Sequence, residues 1–271
     1  MTHVELRDFD GRALRRTFAR FGIDPAVDVV AVAAFDHGAA PPGYSDRRFR
    51  FDYLRRAVTS RPQPSAFAYR DADVPSEMTR LAAVAADAAE YMSAVPDGQR
   101  PVIMVMDTAS AAVTGAQDDA LVRAARDVVI ANIGNFHTLA FHLYDGRIQG
   151  LFEHHTGELS RDKLEGYLQQ LVAGTLSNAT VFEDNGHGAL LLDHADADDV
   201  RQAAADTEMP LLAITGPRRE MLRGSALHPY EAVPHGAMML AGCFGLLRAA
   251  AVCCPELAPA ITDVLGPLDA H

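Results

Sequence analysis

The sequence predicts an α/β protein, and three observations lead to that fold class. Strand-like apolar runs alternate with helical stripes from residue 27 onward. Three strand patterns follow one another over residues 127–155 and include an Asp-Gly hairpin turn. Strand and helix patterns then alternate again between residues 160 and 252. This mixture indicates helices packed against β-sheets.

The first half of the chain contains two strand patterns that end in polar residues. Residues 27–38 (VDVVAVAAFDHG) predict a buried strand, and residues 101–116 begin with a strand that ends at Asp107. Helical patterns fill the rest of this half, and Ser76 is the predicted N-cap of one of them. The predicted segments are a loop with a short helix, a capped helix and a further helix, over residues 41–56, 76–95 and 117–127.

A meander of three antiparallel strands is predicted over residues 127–155. Asp145 and Gly146 fit a type I′ turn, which requires positive φ at both positions. The turn joins the second and third strands, so these two strands are expected to pair directly.

Side-chain alternation separates the polar residues of the third strand. Glu153 and His155 are predicted to face one side of the sheet, and His154 the other side together with Ile148 and Phe152. One of the two histidines is expected to meet the histidine that begins the second strand, because the two strands are antiparallel neighbours.

The second half after the meander alternates helix and strand patterns. Residues 160–174 predict a helix that Ser160 caps and Gly174 ends. Residues 179–194 (ATVFEDNGHGALLLDH) predict a strand, a turn and a second strand or helix start. The last two segments predict a strand, turn and helix, then a buried helix, over residues 210–222 and 235–252.

Composition excludes several classes of function. A formal net charge of -12 argues against duplex nucleic acid or an anionic membrane as the main partner. The three cysteines lack the spacing of a zinc site or a close iron–sulfur triplet. Lys163 is the single lysine, and its neighbours exclude a Walker A phosphate loop. The polar N-terminus and the absence of a disulfide framework favour a cytoplasmic location.

Several short strings between about residues 27 and 245 carry a family resemblance. They are FDHGAAPPGYSDRRFRF, MDTASAAVTGAQDD, NIGNFHTLAF, GLFEHHTGEL, NGHGA and TGPRR. Together they are similar to a microbial family whose members are often labelled pyruvate formate-lyase activating enzymes. The element order from residue 127 also resembles one lobe of the actin-like ATPase (ribonuclease H-like) fold of sugar kinases, Hsp70 chaperones and actin.

The resemblance implies a nucleotide site between two lobes. Residues 1–125 would form a truncated first lobe without the usual Asp-x-Gly-Thr phosphate hairpin, and residues 126–271 a fuller second lobe. ATP with Mg²⁺ is the cofactor implied. The residues expected at the nucleotide are Asn132, Gly134, Asn135, His137 and Thr138 at the phosphates, with Gly216 near the adenosine. The candidate catalytic residues at strand ends are Asp107, Asp36 and His37.

Three functions remain open at this point. The first is a kinase-like, nucleotide-binding enzyme of small-molecule or cofactor metabolism. The second is a hydrolase or lyase that uses a divalent metal other than Mg²⁺, since imidazole and carboxylate suit Zn²⁺, Mn²⁺ or Fe²⁺. The third is a nucleotide-sensing protein without turnover. The candidate metal ligands are Glu153, His154, His155, Asp184 and His187, and the second function adds Asp36 and His37 to them. The Glu153, His154 and His155 group would otherwise contact a ligand directly or only cap strands.

The partner is predicted to be a small anionic or phosphorylated molecule. Arg47, Arg48 and Arg50 follow the first strand and form a locally basic segment in an acidic chain. A solvated basic helix face is the alternative interpretation of these arginines.

Overall fold

The computed structural model describes residues 7–24, 26–93, 101–192 and 209–267, and these residues form a mixed α/β fold with two sheets. The α/β class is therefore confirmed. The smaller sheet has the order β1-β3-β2, in which β1 and β3 are parallel and β2 is antiparallel to β3. Its strands are β1 (Val29–Ala33), β2 (Ala68–Arg70) and β3 (Val102–Met106).

Five helices of the described chain accompany the smaller sheet. They are α1 (Gly11–Arg20), α2 (Asp46–Ser60), α3 (Thr79–Ser93), α4 (Thr108–Ala116) and α5 (Ala120–Ala124). Helix α2 is capped by the Ser45 side chain and runs four residues past the end of the short helix predicted there.

The start of α3 differs from the prediction. Ser76 lies before the helix, and the Asp36 carboxylate accepts the amides of Arg80 and Leu81 instead, at 2.8 and 2.9 Å. The predicted cap at Ser76 is therefore wrong, because a carboxylate from a distant loop satisfies the first turn.

The larger sheet has the order β7-β6-β5-β4-β8-β9. Strands β4, β5 and β6 form the predicted antiparallel meander, and β8 and β9 add to it in parallel on the β4 side. Asp145 and Gly146 have φ of 49° and 71°, so the type I′ assignment is confirmed. The strands are β4 (Asp127–Ile133), β5 (His137–Tyr144), β6 (Arg147–His155), β7 (Gly188–Leu191), β8 (Leu211–Thr215) and β9 (Tyr230–Glu231).

A β-bulge changes the predicted alternation in β6. His142 pairs with Gly150 and Leu143 with Ile148, so one residue of β6 has no opposite partner. Ile148 therefore packs in the core between the two sheets, whereas Phe152 packs on the opposite face. Phe152 shares a face with His154 as expected, since both rings pack near Tyr167. The same expectation for Ile148 is wrong, because each residue before the bulge is shifted to the other side.

Two segments of the second half form helical turns rather than the predicted elements. Residues predicted as a strand form α7 (Asn178–Glu183), because the Ser177 hydroxyl accepts the Thr180 amide at 3.0 Å and caps a helix. The helix predicted after β8 is a single 3₁₀ turn, Arg219–Leu222. The remaining helices are α6 (Arg161–Val172), α8 (Ala241–Cys253) and α9 (Ala258–Leu265).

The core joins the two sheets. One apolar cluster contains side chains from α2 and α3 together with Leu139 and Phe141 of β5. A second cluster packs α6 against the opposite face of the larger sheet. Helix α4 crosses α8 where Gly115 meets Gly245, and any Cβ at either position would overlap the backbone of the other helix. In the described part of the chain, no helix is long and apolar enough to span a membrane.

Candidate functional site

Three histidines from distant parts of the sequence converge where the two sheets face each other. His37 follows β1, His137 begins β5, and His187 directly precedes β7. One nitrogen of each imidazole lies within 4.8 Å of a nitrogen of each of the others. We call these three residues the histidine centre.

Local backbone structure explains why His187 reaches this point. The His187 amide donates to the Glu153 carbonyl at 2.9 Å, which extends the pairing of β6 with β7. Gly188 has φ of +152°, and a Cβ there would overlap Asn178 and the ring of Phe51. A glycine is required at this position, and the chain can then turn sharply into β7.

Aromatic contacts hold the other two histidines. The ring of Phe35 stacks on His137 with centroids 4.2 Å apart and also meets the His37 ring edge at 4.8 Å. His155, paired with His137 across the two strands, has its ring centroid 4.6 Å from that of His187. The predicted meeting of His137 with one histidine of β6 is thus confirmed, and the partner is His155.

Several nitrogens of the histidine centre lack hydrogen-bond partners. His187 is 1% exposed, and neither of its ring nitrogens has a partner among the described residues. The Nε2 of His137 is likewise buried without one. Most buried polar side-chain atoms in proteins are hydrogen-bonded, so three orphan nitrogens at one point call for an explanation.

Burial keeps these imidazoles neutral at physiological pH. Desolvation lowers the pKa of His137 to about 4 and that of His187 to about 3, although the Glu153 carboxylate acts in the opposite direction. Desolvation also lowers the pKa of His37. Each ring therefore offers an unprotonated nitrogen, the form that binds metal ions.

A fully buried ion network lies next to the histidine centre. The Arg50 guanidinium donates to both Glu153 carboxylate oxygens at 3.1 Å and to Asp107 Oδ2 at 2.8 Å. Its Nη1 also donates to the Asp36 carbonyl at 3.1 Å. Helix α2 thus ties β6 of the larger sheet to the ends of β1 and β3 in the smaller one.

The pKa values of the two carboxyl groups, Glu153 and Asp107, shift in opposite directions. Burial alone would raise the pKa of Glu153, but Arg50 and His187 hold it at about 2. Burial raises the pKa of Asp107, with Arg50 opposing the shift. Burial opposes the charge of Arg50, but the charges of Asp107 and Glu153 hold the pKa of its guanidinium above the usual value. An ionised Glu153 beside three neutral imidazoles favours a cation among them.

The remaining predicted catalytic residues have structural partners. Asp107 Oδ1 caps α4 by accepting the amides of Ala109 and Ser110, at 3.0 and 3.3 Å. The carboxylate of Asp36 accepts the Gly38 amide at 2.8 Å in addition to its two bonds at α3. Both carboxylates therefore shape the loops that carry the site.

Two of the predicted metal ligands lie away from the histidine centre. The His154 ring packs beside Tyr167 of α6, and its Nε2 lies 3.4 Å from Asp184. Asp184 itself accepts bonds from Lys163 at 2.7 Å and Tyr167 at 2.8 Å. The structure brings Glu153, His155 and His187 together and leaves these two on the other face of the sheet.

The predicted phosphate turn forms the hairpin between β4 and β5, next to the histidine centre. The Gly134 amide donates to the His137 carbonyl at 3.0 Å, and Asn135 at the tip is exposed. Thr138 is buried and shares a hydrogen bond of 3.0 Å with Thr156. Gly216, with φ of +99°, packs against the backbone of the same hairpin.

Sequence reasoning missed two parts of this site. The sequence predicts His137 at a phosphate turn and not at a metal. It predicts Arg50 either at an anionic molecule or on a solvated basic face, whereas its side chain is 1% exposed and pairs with buried carboxylates. The available signal for His137 was its position at a strand start opposite His155. For Arg50 the sequence gives no signal, because its partners are 57 and 103 residues away.

Fold and site together define an α/β protein with a histidine-rich centre between two sheets. The chain belongs to the family described as "Putative pyruvate format-lyase activating enzyme (DUF1786)", whose model matches residues 1–221. No curated protein matches the chain at a significant level.

Proposed function

We propose that this protein binds one divalent transition-metal ion through His37, His137 and His187 and uses it as a hydrolase or lyase. The observation that carries the proposal is the convergence of three neutral imidazoles, two of which, His137 and His187, have buried nitrogens without partners. An ion at their centre would bind one nitrogen of each ring, and it would satisfy a nitrogen of His187 that no side chain of the described residues satisfies.

The ligand set fits zinc best. Imidazole nitrogens bind Zn²⁺ at about 2.0–2.1 Å, so two nitrogens of a tetrahedral site lie roughly 3.3 Å apart. Ligand atoms within 4.8 Å reach that spacing by small rotations of their side chains. Three protein ligands with an open fourth position are typical of catalytic rather than structural zinc sites, and a bound ion supplies Lewis-acid activation of water.

The chain's own residues fix the ligands and their charge. Phe35 limits rotation of His137 by stacking on it, and Glu153 supplies negative charge at the centre. The Nδ1 of His155 lies 2.8 Å from the Asn185 carbonyl and must donate to it, so the Nε2 of the neutral ring is unprotonated. His155 is half-buried, and its place beside the ligands suits contact with a substrate.

Metal uptake by purified protein tests this proposal. The protein is stripped with chelator, loaded with Zn²⁺ or Co²⁺, and desalted before elemental analysis. We expect uptake in the wild type and none in His137→Ala/His187→Ala, while His235→Gln serves as a control outside the site. Equal uptake by wild type and double variant would refute the assignment of these ligands.

A second proposal is nucleotide binding by a kinase-like protein of the actin-like ATPase superfamily. Its support is the meander flanked by parallel β8 and β9, together with the contact of Gly216 with the hairpin of Asn132. The Gly134 amide already donates within the hairpin, so phosphates would need other donors. Mg²⁺ with ATP should raise the Tm of the wild type and not of Gly216→Val. Absence of any shift removes this proposal, and a shift without turnover favours nucleotide sensing.

A further inference from the structure

The segment that carries His187 is held by a side chain from the opposite side of the site. We define the His187 loop as Phe182–His187, which comprises the last two residues of α7 and the residues that link α7 to β7. Arg47, in the first turn of α2, directs Nη1 to the Phe182 carbonyl at 3.0 Å and to the Gly186 carbonyl at 2.6 Å. One guanidinium nitrogen thus joins both ends of the loop.

A ring contact adds to the two hydrogen bonds between Arg47 and the His187 loop. The Arg47 guanidinium lies 4.4 Å from the centroid of the Phe182 ring, within the range of cation–π attraction. The loop contains Asn185 with φ of 66°, a left-handed conformation that asparagine tolerates better than most residues. Contacts from outside the loop are therefore needed to select this path for the backbone.

Two of the arginines of α2, Arg47 and Arg50, act on the same site from one helix face. Arg47 and Arg50 are three residues apart, so their side chains are neighbours on the helix surface. Arg50 binds Glu153 at the end of β6, and Arg47 binds the loop that follows α7. Both contacts join the N-terminal part of the chain to the larger sheet, where His137 and His187 lie.

We infer that Arg47 is a positioning residue, which sets the metal affinity of the proposed site by fixing the backbone that leads into His187. This inference rests on the proposed function. Outer residues that orient ligands commonly change metal affinity by about 10–100-fold when they are replaced. Arg47 meets that description because its hydrogen bond to Gly186 lies one residue before the ligand.

Zinc affinity, measured by competition with a chromophoric chelator, tests the inference. We expect Arg47→Gln to bind Zn²⁺ roughly 10–100-fold more weakly than wild type. Arg48→Gln is the matched control, because Arg48 is exposed and its guanidinium lies 5.1 Å from the centroid of the same ring. Its affinity should stay within about twofold of wild type.

Two further readouts separate positioning from general damage. The absorption spectrum of the Co²⁺-loaded protein reports ligand geometry, and it should change in Arg47→Gln while the Tm of the metal-free protein does not. Arg47→Lys keeps a cationic donor and should recover part of the affinity.

The outcomes distinguish this inference from the function on which it rests. If wild type takes up no metal, the proposed function and the inference both fail. If wild type binds metal and Arg47→Gln binds it equally with an unchanged Co²⁺ spectrum, only the positioning role fails. A variant that loses affinity merely in proportion to a lower Tm, without recovery in Arg47→Lys, also overturns the positioning role.

Discussion

The histidine centre and the aspartate network beside the edge strand β9 are both buried polar clusters, but they differ in how their atoms are satisfied. Asp118 accepts bonds from Arg248 at 2.8 and 3.0 Å and from Arg123 at 3.0 Å. Asp119 caps α5 and accepts the Tyr230 hydroxyl at 2.9 Å and the Val233 amide at 2.8 Å. Each carboxylate of this network has several donors.

The histidine centre, by contrast, keeps orphan nitrogens beside a fully bonded ion network. Arg50 satisfies Glu153 and Asp107, whereas the nitrogens of His187 are buried without partners in the described chain. Burial of polar groups is therefore not itself a sign of function. The sign is a set of buried polar atoms that the protein leaves unbonded at one point.

The largest expected effect is on the aspartate network. Asp118→Asn leaves the buried guanidinium of Arg248 without its carboxylate, and breaking a buried ion pair in this way costs about 3–5 kcal/mol of unfolding free energy. Urea denaturation of the metal-free protein measures the loss. Zinc uptake should be unchanged in the folded fraction. A loss of unfolding free energy below about 1 kcal/mol would show that the network does not stabilise the fold as a buried ion pair does.

The second-largest expected effect is the stabilisation of the folded protein by zinc at the histidine centre. Zinc should raise the unfolding free energy of wild type by about 2.7 kcal/mol at a free concentration about 100 times its Kd. His187→Gln should lose this increment, because one of three ligands is removed. His235→Gln, outside the site, should keep it. If His187→Gln kept the zinc-dependent rise in unfolding free energy, the claim that the unbonded histidine nitrogens bind metal would be contradicted.

A smaller effect follows from the low pKa of the site histidines. Three histidines of ordinary pKa, about 6.5, would lose roughly a thousandfold in metal affinity between pH 7.5 and pH 5.5 through proton competition. His137 and His187 titrate near 4 and 3, so they stay unprotonated over this range. We expect zinc affinity to fall by roughly tenfold or less. Chelator competition at the two pH values measures it, and a thousandfold fall would disprove the neutral assignment.

The same lowered pKa values make the metal-free protein acid-sensitive. The unfolded chain takes up protons near pH 6.5, but the folded histidines take them up only near 4 and 3. The contribution to stability is therefore fully present above about pH 6.5 and is lost as the pH falls towards 4. Denaturation of wild type and His137→Ala/His187→Ala across this range should show a weaker pH dependence in the variant; identical slopes would assign the acid sensitivity elsewhere.

The smallest effect is expected at an exposed ion pair of the same protein. Arg126 donates to Asp145 at 2.7 Å, but the arginine side chain is 64% exposed. Asp145→Asn keeps a residue that suits the type I′ turn and should change stability by less than about 1 kcal/mol. A cost comparable to that of Asp118→Asn would mean that burial does not explain the difference between the two sites.

Local features of the fold could be predicted from the sequence. The Asp145-Gly146 turn, the Ser160 cap and the meander depend on neighbouring residues, and each has the predicted form. Features that depend on distant contacts could not be predicted. The bulge in β6 and the capping of α3 by Asp36 both arise from tertiary partners.

The candidate site likewise has features that neighbouring residues determine and features that distant contacts determine. Strand parity correctly separates His155 from His154, because alternation is local over these two residues. Convergence of His37 with His137 requires the smaller sheet to face the larger one, which no motif in the sequence specifies. The sequence therefore supplied candidate side chains, and only the fold shows which of them share a centre.

Metal content after zinc loading and desalting tests the central claim most directly. We predict about one zinc per wild-type chain and less than about a tenth of an equivalent in His137→Ala/His187→Ala, at the same folded fraction. Wild-type protein that retains no zinc, or a double variant that retains as much as wild type, would contradict the claim that the unbonded imidazoles form a metal centre.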